Sequence, residues 1–165
     1  MAGKELRTLL SFFLIGIAVL AVQTTWLPRH SFFGSTPDLL LVLVCCLGLS
    51  RGISASAFAG LCIGIMLGGL NRHMLITILI WSITGFTVGI SNNNVFNASR
   101  SLAGVVAAAG TLVMYGLYWT LTALMLKEPF YTTWEIPLLT AFQNGVISYL
   151  IFPLFVTARE TPRAL

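Results

Sequence analysis

Charge is what this chain most lacks. Only 8% of its 165 residues are Asp, Glu, Lys or Arg, where an ordinary soluble domain carries about 25%. So little charge cannot cover a water-soluble globule of this length, which excludes a soluble enzyme and a disordered chain. Nine Lys and Arg against five Asp and Glu give a net charge of +4. Those bases are scattered singly, and a nucleic-acid surface needs them clustered. Cysteine is scarce as well. Cys45, Cys46 and Cys62 lie inside apolar runs, their number is odd, and no C-x-x-C occurs, so each reads as a small hydrophobe rather than part of a disulfide or metal framework. His30 and His73 stand alone in two loops. H-E-x-x-H, G-x-S-x-G and paired carboxylates are all missing. These absences set the expectation of a chain with no catalytic, metal-binding or cofactor-binding residues.

What is present is apolar: 57% of the residues are hydrophobic. A membrane-spanning helix takes about 20 such residues, so six would use roughly 120 positions and leave about 45 for loops and tails. The expected fold is an all-α integral membrane protein, a six-helix polytopic bundle forming one domain over 1–165, with the lipid bilayer as its surroundings.

The runs can be placed one by one. Lys4 and Arg7 precede an apolar run over 9–27, and no A-x-A site interrupts it before Gln23-Thr24-Thr25-Trp26. It reads as a retained first helix, with Trp26 at the interface. Ser35-Thr36-Pro37-Asp38 reads as a helix start: hydroxyl cap, Pro at the first helical position, acid in the first turn. The apolar run that follows, up to Leu49, is short, roughly 20 Å against a hydrocarbon core of about 30 Å. A thinned or re-entrant passage therefore competes with a full crossing. Further spans are expected over 53–70, 74–90, 102–126 and 137–156, with Arg51-Gly52, Asn71-Arg72-His73, a polar loop over 91–100 and an aromatic loop over 127–135 between them.

Basic residues favour the cytoplasmic side of a membrane protein. With six spans and the N-terminus inside, Lys4, Arg7, Arg51, Arg100, Arg159 and Arg163 fall inside, and Arg29, Arg72 and Lys127 fall outside. A re-entrant second segment would instead leave four inside and five outside. The count prefers six crossings with both termini cytoplasmic. It also puts the sequon Asn97-Ala98-Ser99 on the cytoplasmic side, where it carries no glycan. No inverted repeat relates the first three runs to the last three.

Glycine supplies the strongest pattern. Gly60, Gly64 and Gly68 recur every four residues, with Ser56 one step earlier; Gly85 and Gly89 repeat the spacing, as do Gly104 and Ala108. Each set forms a face almost free of side chains, against which another helix backbone can lie closely. The partner face is either internal or belongs to another protein's helix. Gln23, Gln143 and Asn144 are the polar residues farthest from charge within the runs and read as interhelical hydrogen-bonding groups. Phe130-Tyr131-Thr132-Thr133-Trp134 is either an aromatic belt or a contact surface. Asp38 has no second acid near it in sequence and is expected to favour the N-terminus of its helix through the macrodipole.

Several of these segments resemble the MreD family of bacterial rod-shape proteins. They are Leu20-Ala21-Val22-Gln23-Thr24-Thr25, Pro37-Asp38-Leu39-Leu40-Leu41, Arg51-Gly52 before the Gly60/Gly64 helix, and Gly85-Phe86-Thr87-Val88-Gly89. The likeness covers roughly the first 90 residues; the last two runs match in length and hydropathy alone. One departure stands out: the family often carries an Asp four residues after the second glycine of the third span, and here that position is Gly68. The resemblance implies a non-catalytic protein of the bacterial cytoplasmic membrane that binds MreC, a single-span coiled-coil protein, beside RodA, penicillin-binding protein 2 and MreB. It implies a fold similar to the substrate-binding subunits of energy-coupling-factor transporters. That fold supplies the alternative reading, a small-molecule-binding subunit of a vitamin-type transporter.

Overall fold

A computed structural model describes residues 2–31, 33–70, 73–94, 99–127 and 133–160. The side chain of Phe32, the turn at Asn71-Arg72, the sequon's Asn97-Ala98, the aromatic residues 130–132 and Arg163 lie outside the described residues. Among those described there are six α-helices and no strands: α1 Ala2–Thr25, α2 Leu39–Arg51, α3 Ile53–Leu70, α4 Met74–Asn94, α5 Arg100–Leu126 and α6 Glu135–Glu160. A single 3-10 turn, Leu27–His30, follows α1. Four helices, α3 to α6, are long and apolar enough to cross a membrane.

The architecture is organised around the shortest helix. Every residue of α2 from Leu40 to Ser50 is buried, and α1, α3, α4, α5 and α6 all pack against it. The sequence of α2, LLLVLVCCLGLSR, explains this. It has no polar face before Ser50, and a helix apolar all round has no side to give to water. Its 13 residues need not match the bilayer thickness, because protein rather than lipid surrounds them. Val42, Cys46 and Leu49 pack against Ala103 of α5 and Phe152 of α6. Leu40, Leu41, Val44 and Cys45 pack against Ile63 of α3, Trp81 and Val88 of α4 and Ala107 of α5. All three cysteines are free.

A single residue joins α2 to α3. Gly52 adopts φ +87° and donates its N–H to Gly48 O at 2.9 Å. Only glycine occupies that conformation without steric cost, so the one-residue link needs it. Several hydroxyls inside the helices are satisfied locally, while Ser82 Oγ and Thr84 Oγ1 of α4 are buried without a partner. Thr77, Thr87, Thr111, Thr122 and Thr140 each donate to the carbonyl four residues earlier.

The start of α2 corrects the expected cap. The helix begins at Leu39, Pro37 lies in non-helical backbone before it, and Asp38 rather than a hydroxyl residue is the N-cap. Ser35 is diverted to α6, where its Oγ lies 2.6 Å from Thr140 Oγ1. Thr140 already gives its only hydroxyl proton to Ile136 O at 2.9 Å, so Ser35 is the donor of the pair. With Ser35 engaged in tertiary structure, capping passes to the carboxylate.

Candidate functional site

Two features carry the residues singled out above: a polar node at the entry to α2 and a glycine seam between α3 and α4.

The node is centred on Asp38. Gln23 Nε2 of α1 donates to Asp38 Oδ1 at 2.9 Å, and the Leu41 N–H donates to the same oxygen at 3.1 Å. Gln23 Oε1 in turn accepts from the Leu40 N–H at 3.0 Å. The first N–H groups of a helix have no intrahelical acceptors; here one is met by α2's own cap and the next by a side chain of α1. These contacts also fix the Gln23 amide: its oxygen must face an N–H and its nitrogen a carboxylate, so the reversed orientation would lose both bonds.

On the opposite side the Asp38 N–H donates to Asn144 Oδ1 of α6 at 2.7 Å. Asn144 Nδ2 donates to Thr111 Oγ1 of α5 at 2.9 Å, and Thr111 donates to Ala107 O at 2.7 Å. Asn144 and Thr111 are fully buried. One directional chain of donors and acceptors therefore links α1, α2, α5 and α6. Asn144 lies about 14 Å along α6 from its first residue at 1.5 Å per residue, so Asp38 caps a helix that starts well inside the bundle. An intramembrane carboxylate is costly unless hydrogen-bonded. Among the described residues, its partners are an amide and backbone N–H groups at a helix N-terminus, where the macrodipole favours negative charge.

The sequence places Asp38 at a helix N-terminus, and it is the N-cap of α2; what the sequence does not carry is that this end is interior and that the residue joins α1 to α2. Gln23 and Asn144 do bond between helices. Gln143 differs, its Oε1 being buried without a partner. Thr111 carried no distinguishing signal in the sequence. The separations across the node, 15, 33 and 106 residues, lie beyond local pattern.

The seam is the second feature, and α3 and α4 form the most extensive helix pair. A Cβ on Gly60 would run into Trp81 O and would lie 3.2 Å from Gly85 Cα. One on Gly64 would lie 3.0 Å from Ile78 Cα, and one on Gly68 would lie 3.1 Å from Met74 O. From α4, a Cβ on Gly85 would run into Ser56 O, and one on Gly89 into Ile53 Cα and Ser56 Oγ. Gly60 and Gly85 thus face each other, while Gly64 and Gly68 meet Ile78 and Met74 of α4 and Gly89 meets Ile53 and Ser56 of α3. At Gly68, where the resembled family often carries an Asp, a side chain would press on Met74, whose Cγ and O would both lie 3.1 Å from the Cβ. A second, shorter seam joins α5 to α6: a Cβ on Gly104 would lie 3.0 Å from Gly145 O, and one on Gly145 would lie 3.4 Å from Ala108 Cβ.

At one end of the bundle Trp134 stands edge-on to Trp119, their ring centroids 4.8 Å apart, with Tyr115 6.0 Å from Trp119. Among the described residues no group of three or more His, Cys, Asp or Glu is placed to hold a metal ion. Family models, curated proteins and solved structures contain no match to this chain.

Proposed function

We propose that this chain is a non-catalytic scaffold of the bacterial inner membrane, acting in the rod-shape cell-wall elongation machinery. In this reading it crosses the membrane six times with both termini in the cytoplasm, as the basic residues favour. It docks the transmembrane helix of a single-span MreC-like protein and so supports peptidoglycan synthesis beside RodA, penicillin-binding protein 2 and MreB.

One observation carries the reading. The residues through which the chain resembles the MreD family are the residues that make its two internal joints. Gln23 and Asp38 bond to each other, and the Gly60/Gly64 helix lies on the Gly85/Gly89 helix. A transport subunit would aim its polar groups into a cavity sized for its ligand. Here Gln23, Asp38, Asn144 and Thr111 are aimed at one another, and their hydrogen bonds close within the protein.

The test is purification from membranes in mild detergent with a candidate single-span coiled-coil protein co-expressed. The scaffold reading expects the two proteins to co-elute at a fixed ratio. Elution of the chain alone, carrying a stoichiometric small molecule, would overturn it in favour of the transporter-subunit reading.

A further inference from the structure

Helix α1 is attached unlike the other five. It packs chiefly on α2 and on its own 3-10 turn. Leu14, Ile15, Ile17 and Val22 are exposed; among the described side chains of α1, Val19 and Leu20 pack against the core built by α2, α3, α4 and Ala107 of α5. Beside Leu20, a narrow gap lies between Gly16 of α1, Leu40 of α2 and Ile63, Met66 and Leu67 of α3. It is too narrow for water, so the walls facing it forgo dispersion contacts. Against this thin apolar seat stands one polar attachment, the two hydrogen bonds of Gln23 to Asp38 and to the Leu40 N–H. The chain then turns sharply between α1 and α2: Phe33 takes φ +54° and Gly34 φ +78°. Phe33, the only non-glycine of the two, is 94% exposed. Left-handed backbone of this kind persists where the surroundings impose it and often marks a switch region.

We infer that α1 is a hinged helix, latched shut by Gln23, whose release uncovers the Asp38 carboxylate and the first turn of α2. The remaining five helices form the fixed frame. The glycine seams hold α3 to α4 and α5 to α6, and Asn144 keeps the other side of Asp38 bound to α6 whether α1 is seated or not. Among the described residues, release costs the two hydrogen bonds of Gln23 and the contacts of Val19 and Leu20, and it leaves the Asp38–Asn144 bond of the frame intact. The geometry is that of a two-state element with the equilibrium set at one side chain. It does not depend on the scaffold reading.

Spin-label distances in lipid nanodiscs test this. One label pair spans the proposed motion, on Ile17→Cys of α1 and Leu79→Cys of α4; the control pair lies within the frame, on Leu79→Cys and Leu112→Cys of α5. The three label positions are exposed; Cys62 is changed to Ala throughout, and Cys45 and Cys46 are buried from the label. Gln23→Leu removes both bonds and should increase a longer-distance α1–α4 population by about thirtyfold, the shift expected from two net hydrogen bonds lost, with the control pair unchanged. Leu20→Ala, which thins the apolar seat and spares the node, should move the same population in the same direction and serves where Gln23→Leu fails to fold. An α1–α4 distribution that neither variant alters would overturn the inference. So would equal broadening in both pairs, which would make Gln23 a bond of the whole bundle rather than a latch.

Discussion

The α3–α4 pair and the α1–α2 pair are joined by opposite means. Between α3 and α4 side chains are removed: Gly60, Gly64, Gly68, Gly85 and Gly89 let two backbones touch along most of their length. Between α1 and α2 the joint is made by a side chain: Gln23 reaches a carboxylate and an unpaired backbone N–H. In lipid there is little hydrophobic gain from bringing two apolar helices together, so packing contacts and interhelical hydrogen bonds must hold them. The first joint draws on dispersion spread over a seam and has no single bond to open. The second concentrates its attraction in one amide. One is a weld and the other a clasp, and the difference can be measured.

The largest effect is expected at the weld. Gly60→Leu or Gly85→Leu drives a branched side chain into backbone that has no rotamer to yield. Either should cost at least about 3 kcal/mol, the upper range of overpacking, seen as loss of the folded peak in detergent or a large fall in melting temperature. Gly69→Leu is the internal comparison, since a Cβ there meets nothing within 4 Å, and it should be tolerated. Equal damage at Gly60 and Gly69 would break the comparison.

A middle-sized effect is expected at the node. Asn144→Leu removes the acceptor of the Asp38 N–H and the donor to Thr111, leaving a buried N–H unmet. The cost should be about 2 kcal/mol, the penalty of one unsatisfied buried group. Asp38→Asn keeps an oxygen for Gln23 and Leu41 to donate to and should cost less, about 1 kcal/mol. Asp38→Lys puts a cation against a helix N-terminus and two donors and should lower folded yield the most of the three. Thermal unfolding of the purified variants ranks them, and Asp38→Asn falling below Asn144→Leu would be the wrong order.

The smallest effect should run the other way. A Cβ at Gly116 of α5 also meets nothing within 4 Å. Gly116→Ala there should raise stability by up to about 1 kcal/mol through helix propensity alone. A loss instead would mean that α5 carries a close contact at that point.

Much of the helical layout is legible in the sequence because its signals are local. The expected run over 53–70 matches α3, Ile53–Leu70, bounded by Gly52 and by the polar turn. The expected starts at 74 and 102 fall within two residues of α4 and α5. The expected start of α2, with Pro37 as first helical residue, also falls within two residues of Leu39, but the cap is Asp38 rather than a hydroxyl residue, and Ser35's hydroxyl bonds Thr140, 105 residues away, which no local motif contains. The placement of α2 is half legible. Its shortness suggests a thin or re-entrant passage, while its lack of any polar face, the better signal, points to burial on every side. Gln23 and Asn144 stand out as polar residues in apolar runs. That both converge on Asp38 depends on how α1, α2 and α6 come together, which periodicity within each helix does not carry.

The enclosure of α2 has a consequence for how the protein is made. A ribosome produces α2 before any of the helices that later cover four of its sides. Asp38 leaves the ribosome 106 residues ahead of Asn144, roughly 5–20 s at about 5–20 residues per second. Through that interval α2 is too short to rest across a bilayer on its own account, the Asp38 N–H waits for Asn144, and α1 is the only other helix its carboxylate can bond. The early α1–α2 contact therefore has a second use as a splint, holding the future centre of the bundle in place until α6 is synthesised and closes the last side.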